Sequence, residues 1–181
     1  RAVELGLLDA KTIDLLGRIL AITDKIGDLN DNLVGPNDDK SLQAVAMAWR
    51  GYSHMRHRRL DEAQKSFDQA LALDPNLARA HLGLAQLNLG LGKRDLTLTA
   101  VEGVLSRNPQ DAEALALRGE LKRLGNDKEG AKKDFAEAIR LDPSNVGARV
   151  AFASLLLDEN KLDEGRAEVV AQDGVNAGRV L

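Results

Sequence analysis

Histidine is the first side chain to consider for chemistry. His54 and His57 stand three residues apart, a spacing that lets two imidazoles share one helix face as metal ligands do. Only His81 is otherwise available, and no acidic residue completes an obvious set, so no metal site is expected. The chain has no cysteine, which removes thiolate ligands, thiol nucleophiles and disulfides together. Gly90-Leu-Gly-Lys-Arg94 faintly resembles a phosphate-cradling loop, but it lacks the long glycine spacing and the Ser or Thr after lysine. It reads better as a turn between two helices. No Gly-x-Ser-x-Gly element or serine triad is present. Asp61-Glu62 and Asp163-Glu164 stand where helices should begin, and carboxylates there complement the positive end of the helix dipole. Neither an enzyme nor a cofactor is expected.

What remains is charge. Arg50 and the run His54-Met-Arg-His-Arg-Arg59 make the densest cationic cluster. Arg56, Arg58 and Arg59 could dock an acidic partner or a phosphate through charge-assisted hydrogen bonds. The same residues would also serve as a solvated helix end, where cations meet the negative pole of the dipole. Over the whole chain 28 acidic residues outnumber 25 basic ones, a net charge of −3, so there is no overall basic footprint for nucleic acid. No apolar run reaches the roughly 18–20 residues needed to cross a bilayer, so no direct membrane insertion is expected of this stretch.

The elements that carry these residues are set by an internal repeat. Pro75, Pro109 and Pro143 are 34 residues apart, and each follows one helix-like run and precedes another. A helix should stop there, because proline lacks a donor and disfavours helix at the residue before it. The same period aligns Gly17, Gly51, Ala85, Gly119 and Ala153 in one column. Ala63, Thr97, Ala131 and Gly165 make a second, Phe67, Val101, Phe135 and Val169 a third, and Ala70, Val104 and Ala138 a fourth. Small columns beside an aromatic one describe a helix hairpin whose two helices approach closely. Helices are expected at about 10–23, 25–34, 39–57, 60–73, 77–90, 94–107, 111–124, 128–141, 145–158 and 162–172. The stretch Gly35-Pro-Asn-Asp-Asp-Lys40 is the best candidate for a loop or hinge.

At these residues the chain resembles the tetratricopeptide repeat family, whose 34-residue helix–turn–helix carries small residues, an aromatic and a terminal proline at fixed places. The resemblance implies an all-α, right-handed superhelical solenoid of antiparallel helix pairs. It runs through 1–181 as a single array: 1–9 as the end of a preceding repeat, 10–43 as a degenerate repeat, 44–77, 78–111 and 112–145 as repeats, and 146–179 as a degenerate C-terminal one. Arg1–Leu8 aligns with the end of a repeat, from which the sequence is expected to begin inside an array.

The family resemblance further implies a concave groove, lined by the first helix of each repeat, that holds a partner protein or peptide. The groove positions are Asp14 and Arg18; Ala48, Tyr52 and Met55; Arg79, Leu82, Gln86 and Leu89; Glu113, Ala116, Glu120 and Arg123; and Gly147, Val150, Ser154 and Leu157. Tyr52, Met55, Arg79, Leu82, Gln86, Glu120 and Arg123 are the candidate partner-binding residues, as apolar anchors beside charges. Leu82 and Leu89 could equally pack within the solenoid. Asp14, Arg18, Ala48, Tyr52 and Arg79 do not reproduce the Lys/Asn carboxylate clamp of the family's chaperone-binding branch. The competing expectation is a structural spacer or self-association scaffold, a homo-oligomer in a larger bacterial envelope or exopolysaccharide assembly. Asn145-Val-Gly-Ala-Arg-Val-Ala-Phe-Ala-Ser-Leu-Leu-Leu157 and Ala114-Leu-Ala-Leu-Arg-Gly119 are similar to repeats of exosortase-associated (PEP-CTERM system) lipoproteins. That similarity implies a periplasmic or outer-membrane setting in a bacterium; without it a cytoplasmic one stays open.

Overall fold

A computed structural model describes residues 9–22, 34 and 39–158. Among the described residues there are eight helices: α1 (Ala10–Ile22), α2 (Lys40–Arg56), α3 (Leu60–Leu73), α4 (Ala78–Gly90), α5 (Arg94–Arg107), α6 (Ala112–Leu124), α7 (Lys128–Leu141) and α8 (Val146–Asp158). Their bounds fall within a residue of the expected ones, and all eight are α-helical with no strand among the described residues. The helices expected at 25–34 and 162–172 lie outside the described residues, as does the loop expected at 35–40 apart from its last two positions.

The turns repeat with the same 34-residue period as the packing. Asp74, Asn108 and Asp142 each stand just before a proline, and each side chain accepts the backbone N–H two residues on: Asn76 at 2.9 Å, Gln110 at 3.3 Å and Ser144 at 3.0 Å. A short Asx acceptor followed by proline ends one helix and starts the next in four residues. Inside each repeat the first helix closes through a residue in the left-handed region: Arg58 at φ 58°, Gly92 at 74° and Asn126 at 65°. The amide after each reaches back five residues, Arg59 to His54, Lys93 to Asn88 and Asp127 to Lys122, at 2.8–2.9 Å. This is the Schellman closure that glycine or asparagine normally supplies. Gly90-Leu-Gly-Lys-Arg94 is one of these turns.

The chain divides into two compact units, residues 1–93 and 94–181. The boundary falls between the two helices of repeat 78–111, a division that the repeat period does not mark. In the first unit the α2–α3 hairpin packs against α1 on one side and α4 on the other, and α2 also meets α4. Phe67 of α3 is fully buried, and a Cβ added to Gly51 of α2 or Gly83 of α4 would overlap its ring. Gly17 of α1 is covered in the same way by Trp49. Glycine is required at these places by the closeness of an aromatic ring, at a cost of about 1 kcal/mol in helix propensity.

The second unit repeats the plan 68 residues later. The α6–α7 hairpin carries Phe135, fully buried, with Gly119 of α6 against its ring and Leu155, Ala151 and Phe152 of α8 around it. The Phe135 and Phe152 rings lie 6.4 Å apart. Ala63, Thr97, Ala131, Phe67, Val101, Phe135, Ala70 and Ala138 are all 0% exposed and Val104 is 1%, so the columns are the core. Gly165 and Val169 lie outside the described residues. Asp134 is buried beside Phe135 and is held by Arg118 Nη2 at 2.7 Å and Lys122 Nζ at 2.8 Å, two cations one helical turn apart on α6.

Candidate partner-binding surface

In the first unit, α1, α2 and α4 bring four side chains together. Trp49 donates its indole N–H to Asp14 Oδ1 at 3.1 Å. Arg79 meets the same carboxylate with Nε at 2.6 Å from Oδ1 and Nη2 at 3.3 Å from Oδ2. The Arg79 guanidinium lies over the Trp49 ring, 4.5 Å from its centroid. Tyr52 donates its hydroxyl to the Arg79 carbonyl at 3.2 Å, and its ring stands edge-on to Phe67 and tilted to Trp49, 5.3 Å from each. Each member follows from local structure. Trp49 and Tyr52 are one turn apart on α2, and Arg79 sits in the first turn of α4. Asp14 stands one turn before Gly17, the point at which α1 rests on Trp49. A stacked cation and a two-oxygen contact reinforce one another when half desolvated.

This geometry redistributes the residues expected from the sequence. Tyr52, Met55, Arg79, Gln86 and Leu89 are half-buried on α2 and α4. Leu82 is a correction: at 2% exposure it is a core residue, and burial of a leucine stabilises by about 1.5–3 kcal/mol, so it is not offered to a partner. Ala48, named with the groove, is likewise buried at 0%. Met55 and Tyr52 both pack against the cluster around Phe67, so each has an intramolecular role. In the second unit Glu120 and Arg123 form a two-point ion pair along α6, with bonds of 2.7 and 2.8 Å. Glu113 and Ala116 are half-buried there, while Gly147, Val150, Ser154 and Leu157 on α8 are exposed.

Arg50, Arg56, Arg58 and Arg59 are all exposed around the end of α2. His57 places Nδ1 2.7 Å from the Ser53 carbonyl, so that nitrogen carries the proton and donates. Burial holds the His54 pKa below its ordinary 6.5, and the charges of Arg59 and Arg50 add to the effect while Glu62 opposes it. Its Nδ1 and the Ser53 hydroxyl are buried with no hydrogen-bond partner among the described residues. Among the described residues no group of three or more His, Asp or Glu is placed to hold a metal ion. No helix among them is long and apolar enough to cross a membrane.

Sequence reasoning missed Trp49, the Asp14–Arg79 pair, Gly83 and the Arg118–Asp134–Lys122 cluster. The chain's one tryptophan, placed between two positions that were singled out, was the available signal.

Helix hairpins at a 34-residue period, packed through small and aromatic columns, define a helical-repeat protein. Tetratricopeptide-repeat family models match residues 54–121 and 112–145, and the chain belongs to the tetratricopeptide repeat family. Anaphase-promoting complex subunit 7 of Arabidopsis thaliana is 31% identical over 125 residues, which are 68% of this chain and 22% of that protein. This chain therefore spans less than a quarter of that relative's length. The solved structure of TTC0263, a thermophilic TPR protein of Thermus thermophilus, superposes with a TM-score of 0.70 at 18% identity, covering 91% of this chain and 90% of that one. The first TPR of Spaghetti (RPAP3), bound to the HSP90 peptide SRMEEVD, superposes with a TM-score of 0.53 at 20% identity over 72% of this chain and 95% of that one. At these identities the likenesses establish the helical solenoid fold.

Proposed function

We propose that the chain is a non-catalytic adaptor segment that binds a partner protein or peptide on the faces of its first helices. In the first unit the face is that of α2 and α4, with Tyr52, Met55, Arg79, Gln86 and Leu89. In the second it is that of α6, with Glu120 and Arg123. The observation that carries the reading is the asymmetry of the hairpin. Gly51, Gly83 and Ala85 give one side of α2 and α4 wholly to the core, while Arg79, Gln86 and Leu89, with Tyr52 and Met55 at the edge of the Phe67 cluster, stay half-buried. Apolar anchors with charges beside them suit an extended or helical peptide. The neighbour solved with a peptide bound adds weight to a peptide ligand.

The test is capture of partners by the wild-type chain and by a Met55→Glu/Gln86→Glu/Leu89→Glu variant whose helicity and melting match wild type. Loss of a wild-type partner from the variant supports the reading; identical capture by both overturns it. The scaffold reading draws on Val146, Val150 and Leu157, which are 48%, 50% and 43% exposed on one side of α8. Light scattering that shows assembly growing with concentration, and lost in Val150→Glu, would favour it.

A further inference from the structure

The α2–α3 and α6–α7 hairpins differ at one buried position. In the second unit Arg118 and Lys122, one turn apart on α6, hold the Asp134 carboxylate of α7 through bonds of 2.7–2.8 Å. At the same positions 68 residues earlier, Arg50 and His54 stand on α2, and Ser66 of α3 replaces Asp134. The registers correspond, because Gly51 rests on Phe67 as Gly119 rests on Phe135. Ser66 is buried and donates its hydroxyl to the Glu62 carbonyl at 2.8 Å, so it brings no charge. The first unit thus keeps the cationic side of the arrangement without the internal carboxylate. Among the described residues His54 Nδ1 has no hydrogen-bond partner and Arg50 forms no ion pair.

Three further arginines follow at the end of the same helix, all exposed, and two of them oppose local structure. Arg58 stands in the left-handed region, where Gly92 and Asn126 serve the other two turns. Arg59 is the N-cap of α3 and makes no capping bond, whereas Asp127 caps α7 by accepting the Gly130 N–H at 2.9 Å. A cation at that place also faces the positive pole of the α3 dipole. In repeat 78–111 only Lys93 keeps a charge at the matching positions, beside Leu84, Gly90 and Gly92. The cluster is therefore no requirement of the repeat, and residues that work against their own turn mark a site built for contact. We propose that Arg50, His54, Arg56, Arg58 and Arg59 receive a phosphoryl group carried on a side chain of a partner protein. Such a group brings about −1.5 to −2 charges and three acceptor oxygens, which suits several guanidinium groups better than one carboxylate does. Asp61 and Glu62 border the cluster in the first turn of α3, so it fits a short local anion and repels a long polyanion. The site lies at the hairpin turn and goes beyond the α2 and α4 face of the adaptor reading.

The probes are acetyl-Ala-Ala-phosphoserine-Ala-Ala-amide, the same peptide with serine or glutamate, sodium phosphate and a polythymidylate strand. Each is titrated into the isotope-labelled full chain while the imidazole and guanidinium signals are followed. The phosphopeptide should bind about ten-fold or more tighter than the serine and glutamate peptides, and no weaker than sodium phosphate. His54 faces the charges of Arg59, Arg50, Glu62 and His57, and bound phosphate should move its titration upward. Ser66→Asp installs the internal carboxylate of the second unit and should weaken phosphopeptide binding about ten-fold or more. Arg58→Gly/Arg59→Asp, patterned on Gly92 and Asp127, should do the same and carries the test if Ser66→Asp unfolds. Equal binding of the phosphoserine and serine peptides overturns the proposal, as does phosphopeptide binding unchanged in both folded variants. Sodium phosphate bound in preference to the phosphopeptide overturns the protein-borne source, and tighter binding of polythymidylate overturns the choice of a protein partner. Gln86→Glu/Leu89→Glu should bind the phosphopeptide like wild type, and its failure to do so overturns a site separate from the α2 and α4 face. Partner capture that fails while phosphopeptide binding holds removes the adaptor reading alone.

Discussion

Gly119→Ala should change the sign of its effect according to what stands at position 135. A Cβ at Gly119 would lie 2.8, 2.9 and 3.2 Å from three carbons of the Phe135 ring. The ring is fully buried, with Phe152 beyond it, so it has no outward path. Overpacking of this kind costs about 1–3 kcal/mol. Alanine recovers about 0.8–1.0 kcal/mol over glycine in a helix interior. The net in the wild type is a loss of up to about 2 kcal/mol. In a Phe135→Leu background the ring carbons are gone, and the same substitution should gain close to its full helix propensity. The two effects define a coupling energy of about 1–3 kcal/mol between the sites. Guanidinium unfolding of the four proteins measures it, with circular dichroism for total helix and Trp49 emission for the first unit. Trp49 emission should be the same in all four before unfolding, because both substitutions lie in the second unit. Gly119→Ala raising the unfolding midpoint equally in both backgrounds would refute the close-approach account of the glycine column.

Other consequences follow from single positions. Phe135→Ala should cost about 3–5 kcal/mol by denaturant unfolding, the price of emptying a fully buried aromatic site. Arg58→Gly should stabilise by about 0.5–1 kcal/mol, since left-handed strain of roughly 1–2 is relieved and about 0.4–1 returns as freedom of the unfolded chain. Burial alone would raise the Asp134 pKa, but hydrogen bonds and charge from Arg118 and Lys122 outweigh it and hold the carboxyl below its ordinary 3.8. Its stabilising contribution is therefore complete above pH 3.8 and falls away as pH drops through the folded-state value, and Asp134→Asn should flatten that acid slope. His54 is depressed below 6.5, so the unfolded chain takes the proton first. Stability should decline as pH falls below 6.5, and His54→Gln should remove that decline in melts at neighbouring pH values.

The fold was legible because a close-packed hairpin admits few residue types at its seams. Gly51, Ala85, Gly119 and Ala153 declare a place where two helices approach, and Phe67 and Phe135 declare what fills the gap. Asp–Pro or Asn–Pro at 74, 108 and 142 marks the turn because its chemistry is local. The surface was less legible. Asp14 and Arg79 meet across 65 residues and Trp49 and Asp14 across 35, and neither contact recurs with the repeat. Leu82 occupies a groove position by spacing, yet whether that side of a helix is covered depends on neighbours that periodicity does not name. Gly92 and Asn126 advertise a left-handed turn, while Arg58 hides the same turn behind an unsuitable residue. The Ala/Leu-rich strings at 114–119 and 145–157 owe their composition to this packing, with Ala114, Leu115, Ala148, Ala153, Leu155 and Leu156 all buried. Their composition therefore carries no separate information about compartment.

A partner held on the faces of the first helices would perturb particular residues there. Peptides selected for binding to the chain should be titrated into isotope-labelled protein while amide shifts are followed. Changes should centre on Tyr52, Met55, Arg79 and Gln86 in the first unit, or on Glu120 and Arg123 in the second. Changes confined to the exposed side of α3, at Asp61, Lys65 and Asp68, would contradict it.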